Sequence, residues 1–220
     1  MSATACPAET RRSPKCVAVL DAAGQLFLDN GYAAVSMDAV ARQAGVSKAT
    51  LYAYFTSKEA LFAAVVANRC TAMAETLELA AVHDAPLDLA LRRLGRHLLD
   101  FFLSPQVVTM FRIALGEGTR FPDLARAYYA AGPLAGRDRV AAWMEEEKRR
   151  LRLRADADPR QAAEHFISML RGTVLLRGAL GIPPVPSEAE LDAAAAAAAE
   201  VIRRAYGAES APESPTPAAW

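Results

Sequence analysis

One segment of the chain, residues 36–58 with the sequence SMDAVARQAGVSKATLYAYFTSK, limits the possible folds more than any other. Ser36 suits the N-cap of a helix over Met37–Ala44, in which apolar residues at positions 37, 40, 41 and 44 form one stripe. Gly45 favours the end of this helix, because glycine adopts a positive φ at low cost. The pattern predicts a short amphipathic helix followed by a tight turn.

A second short helix is predicted directly after this turn. Ser47 can cap a helix over Lys48–Phe55, in which Leu51 and Phe55 face the core, and Val46 plugs the turn. The opposite side carries a cation, hydroxyl groups and aromatic rings, which suit the major groove of DNA and its phosphates. The candidate DNA-binding residues are Ser36, Ser47, Lys48, Ala49, Thr50, Tyr52, Tyr54 and Lys58.

The flanking sequence predicts two further helices that support this pair. The first runs over residues 15–30, with Val17, Leu20, Gly24 and Phe27 facing inward, and ends at Gly31. Tyr32 and Val35 are expected to close the core beneath the pair of short helices. Thr56 and Glu59 match a capping box, which would start a fourth helix that continues to about His83.

The residue order of these helices resembles that of the TetR (tetracycline-repressor) family of bacterial transcription regulators. The resemblance covers residues 15–69, about a quarter of the chain. It is carried by Ala22-Ala23, Leu26-Phe27, Asn30-Gly31-Tyr32, Ser36 and the run AGVSKATLYAYFTSKEALFAAV at residues 44–65. It implies a helix-turn-helix that binds double-stranded operator DNA.

Composition and charge agree with a folded DNA-binding protein. Of the 220 residues, 53% are hydrophobic, which is enough for a full core. The net charge is zero, but residues 1–70 hold seven Lys or Arg residues against five acids. No run approaches the ~18 apolar residues of a membrane span, and the N-terminus lacks an apolar signal core. We therefore expect a cytoplasmic protein without a membrane association.

The sequence contains no recognisable catalytic or metal-binding motif. The patterns G-x-S-x-G, H-E-x-x-H, G-x-G-x-x-G and the P-loop are absent, and the three histidines are dispersed. The three cysteines share no C-x-x-C spacing. We therefore expect no enzyme activity, no metal and no cofactor.

Only helices are predicted in the rest of the chain, including residues 121–133, 137–153, 159–180 and 188–206. Gly132-Pro133 is expected to interrupt the first of these, Leu151 to face inward in the second, and Ser187 to cap the last. The expected organisation is a disordered arm (1–13), a helix-turn-helix domain (14–57), a helical regulatory and dimerisation domain (58–206) and a flexible tail (207–220). The predicted fold class is all-α, with an N-terminal three-helix helix-turn-helix domain followed by a helical bundle.

The helical bundle contains many large apolar side chains that are able to line a ligand cavity. Such a lining would suit an apolar or aromatic small molecule, with Arg112 or His97 orienting it; ordinary core packing is the alternative for each residue. The candidates are Phe101, Phe102, Met110, Phe111, Arg112, Tyr128, Trp143, Met144, Phe166 and Met169.

The last two predicted helices have features of a dimer interface. Gly172 and Gly178 would let another helix approach closely, and the last helix is small in its middle and large at both ends. The family resemblance implies that these helices pair with their copies in a second chain. The interface candidates are Phe166, Gly172, Thr173, Leu191, Ala195, Ala198, Ile202 and Tyr206.

The sequence thus favours a ligand-responsive, homodimeric DNA-binding regulator, and specifically a repressor that a small molecule releases from a palindromic operator. Segments FPDLARAYYAAGP and ADPRQAAEHFISMLRG also resemble the AefR-like regulatory domain of the same family. The alternative is a helical small-molecule carrier or partner-binding protein in which the helix-turn-helix is only a packing motif.

Overall fold

The structure is a computed structural model that describes residues 13–76 and 85–208, and the side chains of residues 13–72 and 85–208. Three predictions lie largely outside these residues. They are the arm before Ser13, the continuation of the fourth helix to His83, and the tail beyond Ala208.

Four helices form the N-terminal part: α1 (Pro14–Ala34), α2 (Met37–Gln43), α3 (Lys48–Tyr54) and α4 (Lys58–Thr76). The side chains of Ser13, Ser36 and Ser47 accept hydrogen bonds from backbone N–H groups at the starts of α1, α2 and α3. Gly31 interrupts α1 with a φ of 75°, and Gly45 turns the chain between α2 and α3 with a φ of 65°. The predicted helix-turn-helix is confirmed.

A helical bundle follows in the remaining described residues. Its helices are α5 (Leu87–Leu103), α6 (Pro105–Glu117), α7 (Pro122–Tyr129), α8 (Ala135–Arg149), α9 (Pro159–Arg171), α10 (Thr173–Leu180) and α11 (Glu188–Tyr206). Ser187 and Glu190 form a complete capping box at the start of α11. The all-α fold class is confirmed. The isolated pairing of Leu153 with Gly207 is the only β-bridge in the described part of the chain.

The first apolar core lies beneath α1–α4. Phe27, Tyr32 and Phe62 are fully buried there, with ring centroids 5.2–5.7 Å apart. The same core includes Met110 of α6 and Leu124 of α7. The bundle therefore packs directly on the N-terminal helices, while a domain boundary at residue 57 stays a prediction.

The second core lies among α5, α8, α9 and α11. Gly95 of α5 allows close packing there, because a Cβ at this position would lie 3.2 Å from Phe166 and 3.4 Å from the Cβ of Ala195. The small side of α11 consequently packs against α5 of the same chain.

Two predicted helix boundaries are wrong. Gly132-Pro133 does not end a helix, since a π-helical segment, Ala130–Leu134, joins α7 to α8 and contains Pro133 within its wider turn. The predicted helix over 159–180 breaks at Gly172, whose ψ of −133° separates α9 from α10.

The glycines of α9 and α10 differ in what they approach. A Cβ on Gly172 would meet only the carbonyl oxygen of Met169 in its own helix, at 3.3 Å, so the predicted crossing at Gly172 is absent from the described chain. Gly178 does permit a close approach, because its Cβ would lie 2.7 Å from Leu103 Cδ2.

Some residues predicted to be inward or mobile are placed differently. Val17 is 44% exposed because Cys16, Val19 and Leu20 form the inward side of α1. Leu151 is 81% exposed in the turn after α8. Gly207 and Ala208 are held at the bundle, where the N–H of Ala208 donates to the carbonyl of Arg152 at 2.9 Å.

By length and apolar composition, no single described helix would cross a bilayer. The pair α5–α6 meets both criteria only when taken together, across a bend of 63°.

Candidate functional site

The outward face of α3 is the candidate DNA-binding surface. Lys48, Ala49 and Tyr52 are exposed on it, and Tyr52 is 43% exposed. Leu51 and Phe55 face the opposite way and are 0% and 2% exposed, so they fix the orientation of α3 on the core. The structure therefore places Tyr52 on the outward face predicted from the helical spacing.

Polar contacts hold the start of α3 in place. The hydroxyl of Ser47 accepts from the N–H of Thr50 at 3.0 Å and lies 2.9 Å from Thr50 Oγ1. Lys48 Nζ pairs with Asp38 of α2 at 2.9 Å, and this hydrogen bond raises the pKa of Lys48. Lys48 stays well exposed, so its positive charge remains accessible beside the helix N-terminus, where phosphates bind favourably.

Tyr54 does not belong to this outward face, contrary to the sequence prediction. Its side chain is half-buried against the first core, and its hydroxyl lies 3.2 Å from Ser13 Oγ at the start of α1. The physical reason is its position three residues after Leu51, which places both on one side of the helix.

Lys58, which the sequence predicts to contact a phosphate, is held by groups of the chain itself. Its Nζ donates to the carbonyl oxygens of Tyr32 and Val35 at 2.8 and 2.9 Å, and lies 4.2 Å from the centre of the Tyr32 ring. Burial lowers the pKa of Lys58. The ammonium group thus holds the C-terminal end of α1 and Val35 against the start of α4.

The predicted Thr56–Glu59 capping box is replaced by a different arrangement. Ser57 caps α4 by accepting from the N–H of Ala60 at 3.1 Å. The Glu59 carboxylate instead accepts a hydrogen bond from the hydroxyl of Tyr32 at 2.6 Å. Burial and this bond raise the pKa of Tyr32 far above its ordinary value.

Three further residues of this region are exposed and were not predicted as contacts: Arg42 of α2, Ala53 of α3 and Thr56. The helical period gave a signal only for Ala53, which lies four positions after Ala49 on α3, since Thr56 follows the end of α3 and Arg42 lies on α2.

A cavity of about 310 Å³ lies in the bundle, next to α4. It is bounded by α4–α10 and by the π-helical segment before α8. The residues lining it are Val66, Arg69, Cys70, Leu98, Phe101, Phe102, Gln106, Val107, Met110, Phe111, Tyr128, Gly132, Pro133, Gly136, Arg137, Ile167, Arg171, Leu175 and Leu176.

Half of the predicted ligand-binding residues line this cavity: Phe101, Phe102, Met110, Phe111 and Tyr128. The other half are misplaced. Trp143, Met144 and Phe166 are buried within the second core, and Met169 is 37% exposed on the outside of α9. Arg112 donates instead to the carbonyls of Ala179 and Gly178 at 2.6 and 3.1 Å, and His97 does not line the cavity.

The polar residues of the cavity wall were mostly missed, and they include three arginines. Burial raises the pKa of Tyr128 to about 12, although the nearby charge of Arg171 opposes this effect. Burial also raises the pKa of the Cys70 thiol. Both side chains are therefore neutral near pH 7. In the described residues, no group of three His, Cys, Asp or Glu side chains is arranged to hold a metal ion.

Most residues of the predicted dimer interface are buried within the chain itself. Gly172 and Thr173 are exposed, but the other candidates are at most 9% exposed in the second core. The buried candidates are Phe166, Leu191, Ala195, Ala198, Ile202 and Tyr206. The amphipathic pattern indicated a buried face correctly, but α5 of the same chain covers it.

Two parts of the chain match family models. Residues 89–208 match the AefR-like transcriptional repressor C-terminal domain, and residues 19–65 match the bacterial regulatory proteins of the tetR family.

Two curated proteins are similar to short stretches of this chain. The chain is 38% identical over 58 residues to the HTH-type transcriptional regulator UidR of Escherichia coli (strain K12), which is 26% of this chain and 30% of that protein. It is 50% identical over 48 residues to the HTH-type transcriptional activator FasR of Mycolicibacterium smegmatis, which is 22% of each. The matched stretch thus spans less than a third of these relatives.

Solved structures are similar over nearly the whole chain. The flavonoid-responsive regulator FrrA is 40% identical, with a TM-score of 0.70 over 88% of this chain and 97% of that one. A tetR-family regulator from Mesorhizobium loti is 28% identical, with a TM-score of 0.74 over 88% of this chain and 96% of that one.

Proposed function

The chain belongs to the TetR family of bacterial regulatory proteins, and from this premise we propose that it is a transcription regulator that binds double-stranded DNA and responds to a small molecule. The outward face of α3 carries the proposal. Its capped N-terminus, exposed Lys48 and exposed Tyr52 form a surface of the size and chemistry that enters a major groove.

The DNA contacts that we propose are Ser36, Ser47, Lys48, Ala49, Thr50 and Tyr52, with Arg42 and Thr56 at the edges. Lys48, Arg42 and the serine hydroxyls would bind phosphates, while Ala49 and Tyr52 would contact base edges and thymine methyl groups. Tyr54 and Lys58 position α3 and α4 from behind.

The effector that we propose enters the cavity beside α4 and is an apolar or aromatic molecule. Support comes from the aromatic and methionine side chains of the wall, and from the flavonoid-responsive relative, since flavonoids are aromatic compounds. Release of DNA would require the effector to bind more tightly to a conformation with low DNA affinity.

We propose that the regulator acts as a cytoplasmic homodimer and as a repressor. Two α3 helices related by a twofold axis would bind a palindromic operator. Repression is favoured by the AefR-like repressor domain that matches residues 89–208, although the FasR relative is an activator. The role is gene regulation without catalysis.

Selection of bound duplexes from a random DNA pool would test the function. The selected sequences should contain a palindrome, and anisotropy titrations should show tighter binding to it than to random DNA, with an affinity that falls as salt rises. A reporter gene behind the palindrome would then distinguish repression from activation. If no duplex is preferred even at low salt while apolar molecules still bind the cavity, the protein is a helical carrier instead.

A further inference from the structure

The charged residues of the cavity wall are all of one sign. Among the described lining residues there are three arginines, Arg69, Arg137 and Arg171, and no aspartate or glutamate. Arg137 is partly neutralised by ion pairs with Glu164 at 3.4 Å and Asp138 at 3.8 Å, and Arg69 is exposed at the rim. Arg171 differs from both, because its Nε is buried.

Arg171 ends α9 inside the wall of the cavity. Its guanidinium carbon lies 4.8 Å from the centre of the Phe102 ring, a contact that holds the group beside the apolar space. Its Nε is buried, and in the part of the chain that the structure describes it has no hydrogen-bond acceptor. A buried donor of a charged group without an acceptor is unfavourable, and a guanidinium presents its donors in a fork that matches an acid group.

The groups facing Arg171 do not supply the missing negative charge. The charge of Arg171 acts on two titratable residues of the wall, Tyr128 and Cys70. Since burial keeps the phenol and the thiol protonated near neutral pH, neither is an anion there. The protonated Tyr128 hydroxyl adds a hydrogen-bond donor to the same cavity wall.

We propose that the cavity takes an amphipathic acid, in which an apolar ring system or chain lies against Phe101 and Met110 while one anionic group binds Arg171. The anion can be a carboxylate or a sulfonate, because each presents two oxygens that match the paired donors of a guanidinium. The inference deepens the proposed effector site and rests on the cavity being that site, and it makes Arg171 the residue that selects charged over neutral ligands.

Two fluorescent probes with the same ring framework separate the charge from the apolar body. They are 8-anilinonaphthalene-1-sulfonate, which is anionic, and N-phenyl-1-naphthylamine, which lacks the sulfonate. Titrations compare the full-length protein with Arg171→Met, which retains apolar packing over Phe102 and removes the charge. We expect Arg171→Met to weaken binding of the sulfonate by about tenfold or more and to change binding of the neutral probe by less than about twofold.

Two further variants control this comparison. Arg171→Lys keeps the charge without the planar fork and should retain part of the preference for the sulfonate. Gly136→Leu fills the cavity, because a Cβ at Gly136 would meet no atom within 4 Å, and it should weaken both probes. Retained binding of the neutral probe by Arg171→Met shows that the cavity is still folded.

The proposal is overturned if Arg171→Met weakens the binding of both probes equally or leaves the affinity for the sulfonate unchanged. It is also overturned if Gly136→Leu still binds the sulfonate, or if the unmodified protein binds neither probe. Anisotropy of the selected duplex in the same samples tests the proposed function separately. Sulfonate binding that depends on Arg171 without any change in DNA affinity supports the ligand class and argues against effector-controlled DNA release. If both probes release the DNA equally and Arg171→Met does not change this, the cavity controls DNA binding, but the anionic ligand class is wrong.

Discussion

Glu117 and Tyr32 are joined by a hydrogen bond across 85 positions of sequence: the backbone N–H of Tyr32 donates to Glu117 Oε1 at 2.9 Å. The N–H of Ala33 donates to the same oxygen at 3.3 Å. Glu117 is the last residue of α6, and the earlier turns of α6 contribute Met110 and Phe111 to the cavity wall. One rigid helix therefore connects the cavity to the segment that leads into the helix-turn-helix.

This contact adds a second connection to the one through α4. That helix starts beside the helix-turn-helix and contributes Val66 and Cys70 to the cavity wall. A ligand that displaced α6 would also move the backbone at Tyr32. Such displacement changes DNA affinity only if the ligand binds the two conformations unequally.

Glu117→Ala should loosen this junction. It leaves the N–H groups of Tyr32 and Ala33 without their acceptor, so the free energy of unfolding should fall by about 1.5–3 kcal/mol. Amide hydrogen exchange at residues 32 and 33 should accelerate more than at the centre of α1. Glu117→Gln keeps an acceptor oxygen and should preserve most of the protection. Exchange at residues 32 and 33 that is as slow in Glu117→Ala as in the unmodified protein would show that the bond contributes nothing.

Tyr52 and Tyr54 form a matched pair, two residues apart on the same short helix. Tyr52→Ala should weaken binding to the selected duplex by about 1–3 kcal/mol and leave the melting temperature nearly unchanged, because the side chain is 43% exposed. Tyr54→Ala should lower the melting temperature, because it removes half-buried surface from the first core. If anisotropy and calorimetry showed a loss of DNA affinity for Tyr54→Ala and a loss of stability for Tyr52→Ala, Tyr54 would be the DNA contact and Tyr52 the core residue.

Lys48 and Lys58 form a second pair with opposite expectations. Lys48→Ala should reduce the slope of log affinity against log salt by about one phosphate contact, with little change in stability, because its ion pair with Asp38 is exposed. Lys58→Met should destabilise the protein by about 1–3 kcal/mol and leave the salt slope unchanged, because it removes the donor to two carbonyls. A reduced salt slope for Lys58→Met would restore it as a phosphate contact.

The pair Tyr32 and Glu59 should make stability depend on pH. Burial raises the pKa of Glu59, but hydrogen bonds from Tyr32, its own backbone and Ser57 lower it overall, below its ordinary value of 4.5. A carboxyl with a lowered folded pKa stabilises the protein above its unfolded pKa, and this stabilisation is lost as pH falls through the folded pKa. Tyr32→Phe should therefore cost about 1.5 kcal/mol at pH 7 and clearly less near pH 3 in urea titrations. A cost independent of pH would attribute the loss to packing alone.

The helix-turn-helix was predictable because its signals are local. The serine caps, Gly45, and the spacing of Leu51 and Phe55 all act within a few residues of one another. The roles of Tyr54 and Lys58 depend on partners 41, 26 and 23 positions away, and no periodicity within the segment reveals such partners. The local pattern therefore predicts which side of α3 faces outward, but not the partners of Tyr54 and Lys58 elsewhere in the chain.

In the bundle, the hydrophobic pattern likewise predicts which helix faces are buried, but not which residues line the cavity or what covers α11. Phe101 and Phe166 are both aromatic residues on inward helix faces, yet one lines an open space and the other fills the second core. The hydrophobic pattern of α11 shows which face is buried, but not what covers it. Gly95, 100 positions before Ala195, decides that outcome by letting α5 approach.

The outward sides of α9 and α11 carry exposed apolar residues that bear on dimerisation. Val201 is 51% exposed on α11, one helical turn after the exposed Ala197, and Met169 is 37% exposed on α9. We propose that a second copy of the chain packs on these positions and on Gly172, because the family resemblance implies that these helices pair with their copies in a dimer. Val201→Arg should raise the dimer dissociation constant by at least about tenfold in sedimentation velocity runs over a range of concentrations. Leu115→Arg, at a 64% exposed position on α6, is the control and should leave the dimer intact; a dimer that survives Val201→Arg would require a different interface.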